Sequence, residues 1–579
     1  MKDVIHRLRL LLAALALLLS GMAALATPAT VLVRAQGGVG FASPTFVDGV
    51  RVGGEPFVLR STKAGNLVYT SHEGATHIDR EGLPSTSPLQ FVCQAPAGLM
   101  CNENHVWIWT SDDKGKTWQF RDEGLTYPGF SDPDLSEDAA GNIYNTGIDL
   151  ANEAVFSSQD GGKTWPHGTL QCHEGDRPWL AGGRAGEVFM STDDQVTGTH
   201  TVYHSSTLGD SCDANGIPDA GTLGDGTSWS GFGKLLYDRF DGSLIEPAVF
   251  NHPATRAFPN GYKGVGYSRL ANASAAFPAA VAQFQPHEVY THTSVFSPFG
   301  APQVISMDSA QNLYFAWDTD DRAATGSNGC GQLPGQPGGP TPAPNHIMFA
   351  AGKYLGAAGQ WQFPAQPLSL AHQGNARVQW PWSIAGADGN VSVVWYQMDQ
   401  VVDPDCDLDT SGNPAPNVKT FIYEAHITNA TSASGPTVTV TNASGRYIHQ
   451  GGICNSGTTC VATGQDRRLG DFFTNAVDER GCVLIASGDT TVLDALSGQP
   501  RVTSLPIFIQ QNSGPSLTGQ DCGAVSAAAG NSPSPTVTGT GGSPNTATGP
   551  PPRWLSAVLL AILAMASVAL VAVRARAAR

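Results

Sequence analysis

One unit recurs along the chain: a turn holding Gly or Asn, then an apolar strand that often carries an aromatic residue. Its copies stand at 63–69 (KAGNLVY), 138–144 (DAAGNIY), 184–189 (RAGEVF), 308–314 (DSAQNLY), 387–393 (ADGNVSV) and 478–484 (DERGCVL). Asp, Gly and Asn supply turn conformations closed to β-branched and aromatic residues, so each copy reads as a hairpin. Just upstream of each lies a further apolar strand opened by a Pro, an acid or a Trp: Glu55-Pro56, Asp132-Pro133, Asp176-Arg177-Pro178-Trp179, Ala301-Pro302, Trp380-Pro381-Trp382 and Gly470-Asp471-Phe472-Phe473. Helical periodicity is absent between the two ends. Six such units predict an all-β, six-bladed β-propeller, a closed array that leaves only short edges. About 125 residues separate the third turn from the fourth, which predicts an insertion near 210–290; a seventh blade hidden there is the second reading.

The ends set the topology. Lys2, Arg7 and Arg9 precede an apolar run and the small-residue site Ala24-Leu25-Ala26, so 1–26 reads as a cleaved signal peptide. Residues 554–573 carry no charge and are long enough to span about 30 Å of hydrocarbon as a helix. Arg574, Arg576 and Arg579 follow in a short tail, 574–579, which places that side in the cytoplasm. Residues 512–553, rich in Ser, Thr, Gly and Pro, read as an extended stalk, leaving 27–511 for the propeller. The expectation is a single-pass protein of the cell membrane with its large N-terminal domain extracellular. The chain carries −17, and the extracellular part roughly −22 once both basic ends are set aside. Such a surface excludes nucleic acid as a partner.

Ten cysteines in a secreted chain predict disulfides. Sequence proximity pairs Cys93 with Cys101 and Cys454 with Cys460, and favours sequence neighbours among Cys172, Cys212, Cys330, Cys406, Cys482 and Cys522. No CxxC spacing suggests zinc. Asp403, Asp405, Asp407 and Asp409 alternate oxygen donors in a loop, as does the segment from Asp213 to Asp219, and calcium would suit either; a solvated acidic loop is the plainer reading.

Two segments share the pattern S-x-D-x-G-K-T-W: 111–118, with Ser111, Asp113, Gly115 and Trp118, and 158–165, with Ser158, Asp160, Gly162 and Trp165. The pattern resembles the Asp box, or BNR repeat, of sialidases and related secreted prokaryotic propellers, and the chain is on that basis identified as sialidase-like. The resemblance implies hairpin tips in which the Asp accepts backbone N–H groups and the Trp wedges into the blade, a structural role away from any active centre. It also implies, for an active sialidase, three arginines on the substrate carboxylate, a Tyr-Glu nucleophile and an Asp acid/base. The corresponding early strand reads Val58-Leu59-Arg60-Ser61-Thr62 and lacks the family's Ile-Pro after the arginine; Arg377 and Arg468 precede later inner strands and are candidates to join Arg60 or Arg177.

Propeller geometry brings the first residues of the inner strands to one mouth of the central channel. That mouth is expected to gather Glu55, Asp132, Asp134, Asp176, Arg177, Trp179, Trp382, Arg468 and Asp471. Of these Asp132, Asp176, Arg177, Arg468 and Asp471 are the candidates for chemistry. Acids and arginines around tryptophans suit a glycan, or a protein ligand, and two acids suitably spaced would hydrolyse a glycosidic bond. The expected function is recognition at the mouth, with exo-α-sialidase hydrolysis as the alternative.

Overall fold

A computed structural model describes residues 38–523 except 50, 52, 73–105, 122–130, 150–151, 195–197, 257–260, 278–282, 293–303, 320–345, 372–376, 404–407, 410–416, 455–465 and 494–502. The signal peptide, most of the stalk, residues 554–573, Cys93, Cys101, Cys460, Ala301 and Pro302 lie outside them. Among the described residues no helix is long and apolar enough to cross a membrane.

Seven antiparallel sheets of four to six strands form the blades of a β-propeller, one more than the turn repeats predict. Their inner strands are Gly54–Arg60, Ser131–Glu137, Trp179–Gly182, Leu236–Tyr237, Val304–Met307, Val378–Ala385 and Thr474–Val477. The extra blade is the fourth, and it occupies the stretch expected to hold an insertion. Its turn was not legible as a repeat because it is one residue longer: Asp238 N–H bonds Ser243 across Asp238-Arg239-Phe240-Asp241-Gly242-Ser243, while Phe240 N–H donates to the Asp238 carboxylate at 2.9 Å.

The shorter turns show why the repeat exists. The Asp138 carboxylate accepts the N–H groups of Ala140 at 2.8 Å and Asn142 at 3.0 Å, and reaches across to Gly186 N–H of the third blade at 2.7 Å. Asp308 repeats this with Ala310, Asn312 and, in the sixth blade, Gly389. One carboxylate thus closes its own hairpin and fastens the next blade. Between blades the second and third strands are covered on both faces, so Leu67–His72, Val106–Ser111 and Val391–Met398 are buried throughout and read as apolar runs.

Both S-x-D-x-G-K-T-W segments are hairpin tips of one geometry. Asp113 Oδ1 accepts from Ser111 Oγ and Thr117 N–H, each at 2.8 Å, and Gly115 N–H donates to Ser111 Oγ at 2.8 Å. Asp160 does the same with Ser158 at 2.8 Å and Thr164 N–H at 2.9 Å. Gly115 has φ of 83°, and a Cβ there would stand 2.3 Å from the Phe508 ring, so only glycine fits. Trp118 packs against Tyr69 and Phe508, and the Trp165 indole donates to Gly162 O at 3.1 Å. A degenerate copy follows in the third blade: Gly209 N–H donates to Ser205 Oγ and Ser211 N–H to Thr207 Oγ1, with Cys212 where the tryptophan would stand. Cys212 is bonded to Cys172 of the second blade, so a disulfide replaces the indole wedge.

The ring is closed by the N-terminal strands Gly40–Phe41 and Thr45–Phe46, which pair with Leu505–Ser513 in the last blade. That strand runs through the expected stalk boundary at 511, and the fold continues to Gly523: Leu517 is fully buried and Cys522 is bonded to Cys482. Small polar residues there resemble a linker in composition, but one leucine and one disulfide are enough to pin them.

Candidate functional site

Four inner strands open on a non-glycine residue with positive φ directly before a proline: Glu55 (46°), Asp132 (52°), Arg177 (60°) and Trp380 (57°). The left-handed region is costly for such residues and a following proline favours extended backbone, so each position holds strain of order 1–3 kcal/mol. In the first, second and sixth blades the strand register also shifts at this point. Gly470, with φ of 73°, makes the same turn ahead of Asp471 in the seventh. The repeated kink breaks strand alternation and sends the kinked residues to one end of the channel.

There Glu55 is the keystone. Its carboxylate bonds His72 Nε2 at 2.8 Å within its own blade, accepts Asp471 N–H at 2.8 Å from the seventh blade and Asp132 N–H at 3.3 Å from the second. Asp471 is gripped by both ends of the Arg467 guanidinium, at 2.5 and 2.7 Å, with Arg177 at 3.5 Å on its other side. Burial, and then the charge of Asp471, push Glu55 up to about 7. Asp132 rises well above the carboxylate range, through burial and then the charges of Glu55 and Asp176, and its side chain bonds that of Glu55. For Asp471 burial is outweighed by Arg467 and Arg177, and the carboxyl stays below its usual range. The mouth therefore sets Asp132, whose proton affinity is raised, beside Asp471, whose proton affinity is lowered. Of these side chains Arg177 is the most open, at 26 % exposure, and its guanidinium lies 5.6 Å from the Phe232 ring centre.

Asp132, Asp176, Arg177 and Asp471 are thus brought together, as propeller geometry requires. Asp132 and Asp471 are themselves buried, and the other expected members are drawn into the interior or engaged elsewhere. Trp179 and Trp382 are buried and 5.6 Å apart, and with Phe57 and Phe472 they form an aromatic plug across the channel, leaving no indole face for a sugar. Asp134 is fully buried on the Lys234 ammonium, which also donates to Leu180 O at 2.6 Å and lies over Phe57. Arg468 is committed to Asp466. Arg377 is buried at the start of the sixth inner strand. Arg60 sits at the far end of its seven-residue strand, beside Glu479, on the order of 16 Å along the strand from Glu55, so it forms no arginine clamp with Arg177.

Sequence reasoning missed Arg467, His72 and Glu153. Arg467 was legible only as the neighbour of Arg468; Glu153 opens a third strand, where no repeat marks it, and is held by the Thr192 hydroxyl with its proton affinity raised by burial. The calcium expectation gains no geometry. Asp213 bonds His204 Nδ1 and Asp219 accepts from Ser268 Oγ, each at 2.7 Å, in separate directions. Asp403 and Asp409 lie in a two-stranded ladder, Asp403 opposite Leu408, and Asp405 and Asp407 lie outside the described residues. Among the described residues no group of three or more His, Cys, Asp or Glu could hold a metal ion.

No family model and no curated protein matches the chain. Among solved structures it is similar to a protein of unknown function from Dyadobacter fermentans, with 12% identity over 82% of this chain and 100% of that one and a TM-score of 0.38. It is also similar to an α-L-arabinofuranosidase of Fusarium graminearum, with 13% identity, 68% and 99% coverage and a TM-score of 0.35. A sialidase of Streptococcus pneumoniae matches with 11% identity, 80% and 70% coverage and a TM-score of 0.31.

Proposed function

We propose that the chain is a sialidase-like propeller displayed outside the cell, led out by the signal peptide 1–26 and held by 554–573, which binds a saccharide at the channel mouth. The observation that carries this is the convergence of Asp132, Asp176, Arg177 and Asp471 in one cluster at the channel mouth, where carboxyl groups surround a guanidinium that is one-quarter exposed. Such a set matches sugar hydroxyls, which both donate and accept. It suits a neutral sugar better than sialic acid: the carboxyl groups of the mouth outnumber its arginines, and Arg177 and Arg467 already serve Asp471. A substrate carboxylate would meet acids on most sides. The test is a glycan array on the purified full chain. Neutral glycans should be retained and lost with Arg177→Ala, whereas retention of sialylated glycans alone, or of a protein alone, would overturn the reading.

One observation favours hydrolysis as a second reading. Asp132 and Asp471 are a pair whose proton affinities the surroundings drive apart, Asp132 upward and Asp471 downward, as acid and base roles need. Released reducing sugar, abolished by Asp132→Asn, would establish it; binding without turnover would leave recognition alone.

A further inference from the structure

A cleft of about 660 Å³ opens between the third and fourth blades, lined by Asp193, Thr199, Thr222, Ser228, Trp229 and Asn251 among others. A second hollow of about 480 Å³, bounded by Gln171, His173, Glu174 and Tyr203, shares Asp194 with it as a wall. The cleft is joined to the mouth through backbone. Asp193 N–H donates to Asp176 O at 2.9 Å and Asp176 N–H to Asp193 O at 3.3 Å, so a mouth residue and a cleft residue sit on facing sides of one pair of hydrogen bonds.

The cleft wall is built rather than incidental. Asp193, nearly half exposed, is fixed by His200 Nδ1 at 2.9 Å, and the other ring nitrogen is held by Glu246 at 2.7 Å. A ring whose two nitrogens both meet carboxylates donates from both, so a buried imidazolium holds Asp193 at the cleft's edge. On the opposite wall the Trp229 indole lies against Gly221, where a Cβ would meet its Nε1 at 3.0 Å. Hydroxyls and one amide make up much of the remaining polar lining, and among the described residues no lysine or arginine lines either hollow. The volume lies within the range of pockets that enclose ligands larger than one sugar ring.

We propose that the ligand is a neutral oligosaccharide whose chain runs outward from Arg177, past Asp193, into the cleft between the third and fourth blades. This rests on the saccharide reading of the mouth and specifies chain length and direction.

The test is calorimetric titration of the full chain in detergent with xylo-, arabino-, manno- and cello-oligosaccharides of two to six units. Affinity should rise at least tenfold between two and five units for the series that binds. That gain should vanish in Asn251→Trp and Thr222→Trp, which fill the cleft from exposed positions. Two variants guard against one that misfolds, and unchanged melting temperatures certify both. Binding that is lost with Arg177→Ala but is independent of length, or indifferent to both tryptophans, overturns the cleft inference and leaves the mouth standing. No binding of any saccharide removes both.

Discussion

The two ends of this propeller use the same chemical group for opposite ends. At the turn face Asp113 and Asp160 are partly exposed; what burial they have works against ionisation, but hydroxyl and backbone N–H donors outweigh it, and both carboxyls stay below their usual range. At the mouth Glu55 and Asp132 are buried against each other and against further acids, and both are raised. A carboxylate given donors becomes a permanent anion that locks a turn, whereas one given another carboxylate becomes a proton holder. The first kind of site needs only a local loop. The second needs several blades.

The sharpest break in this contrast would come from Arg467. Arg467→Ala leaves Asp471 buried among other acids without its bidentate partner, and a loss of about 3–5 kcal/mol in denaturant unfolding is expected. Wild-type stability in that variant would show that the mouth acids need no counter-charge. Next come Asp113→Ala and Asp160→Ala, each expected to cost about 1–3 kcal/mol while leaving saccharide affinity unaltered. A selective loss of affinity would mean that the turn face is functional after all. Arg177→Ala should weaken saccharide binding about tenfold or more, the range of a charged hydrogen bond, raise the proton affinity of Asp132 further and bring that of Asp471 up toward the ordinary range, measurable by NMR titration.

The last effect is in pH. Glu55 holds its proton up to about 7 when folded, against 4.5 for the ordinary group. Between those values the folded state binds the extra proton, so the Glu55 contribution to stability is complete below about 4.5 and is lost as pH rises through about 7. Glu55→Gln should therefore flatten the decline in melting temperature across that window. An identical slope in both proteins would place the proton elsewhere in the cluster.

Legibility in the sequence follows the same division. The S-x-D-x-G-K-T-W tips lie within eight consecutive residues, so each could be read whole, hydrogen bonds included. The mouth is made by contacts such as Glu55 with Asp471, 416 residues apart, and only the strand-start rule joined them beforehand. That rule brought Glu55, Asp132 and Asp471 together but placed Asp134 and the tryptophans badly. At Arg177-Pro178 and Trp380-Pro381 the backbone kinks through a positive φ, with a register shift at the second of them, and Trp179 and Trp382 after the prolines became a plug instead of a binding surface. Blade number failed for a smaller reason, one extra residue in the turn at Asp238.

The N-terminal strands that complete the last blade also set an order of events. Gly40 pairs with Ser513, a partner 473 residues later in the chain, so the first strand made is among the last to be satisfied. At about 5–20 residues per second, synthesis of the intervening chain takes on the order of half a minute to a minute and a half. Through that time Leu505–Ser513 does not exist, and Gly40–Phe41 and Thr45–Phe46 wait as unpaired edges open to any passing strand. Six blades can condense one after another as they emerge, but the seventh cannot be finished until both halves of it meet.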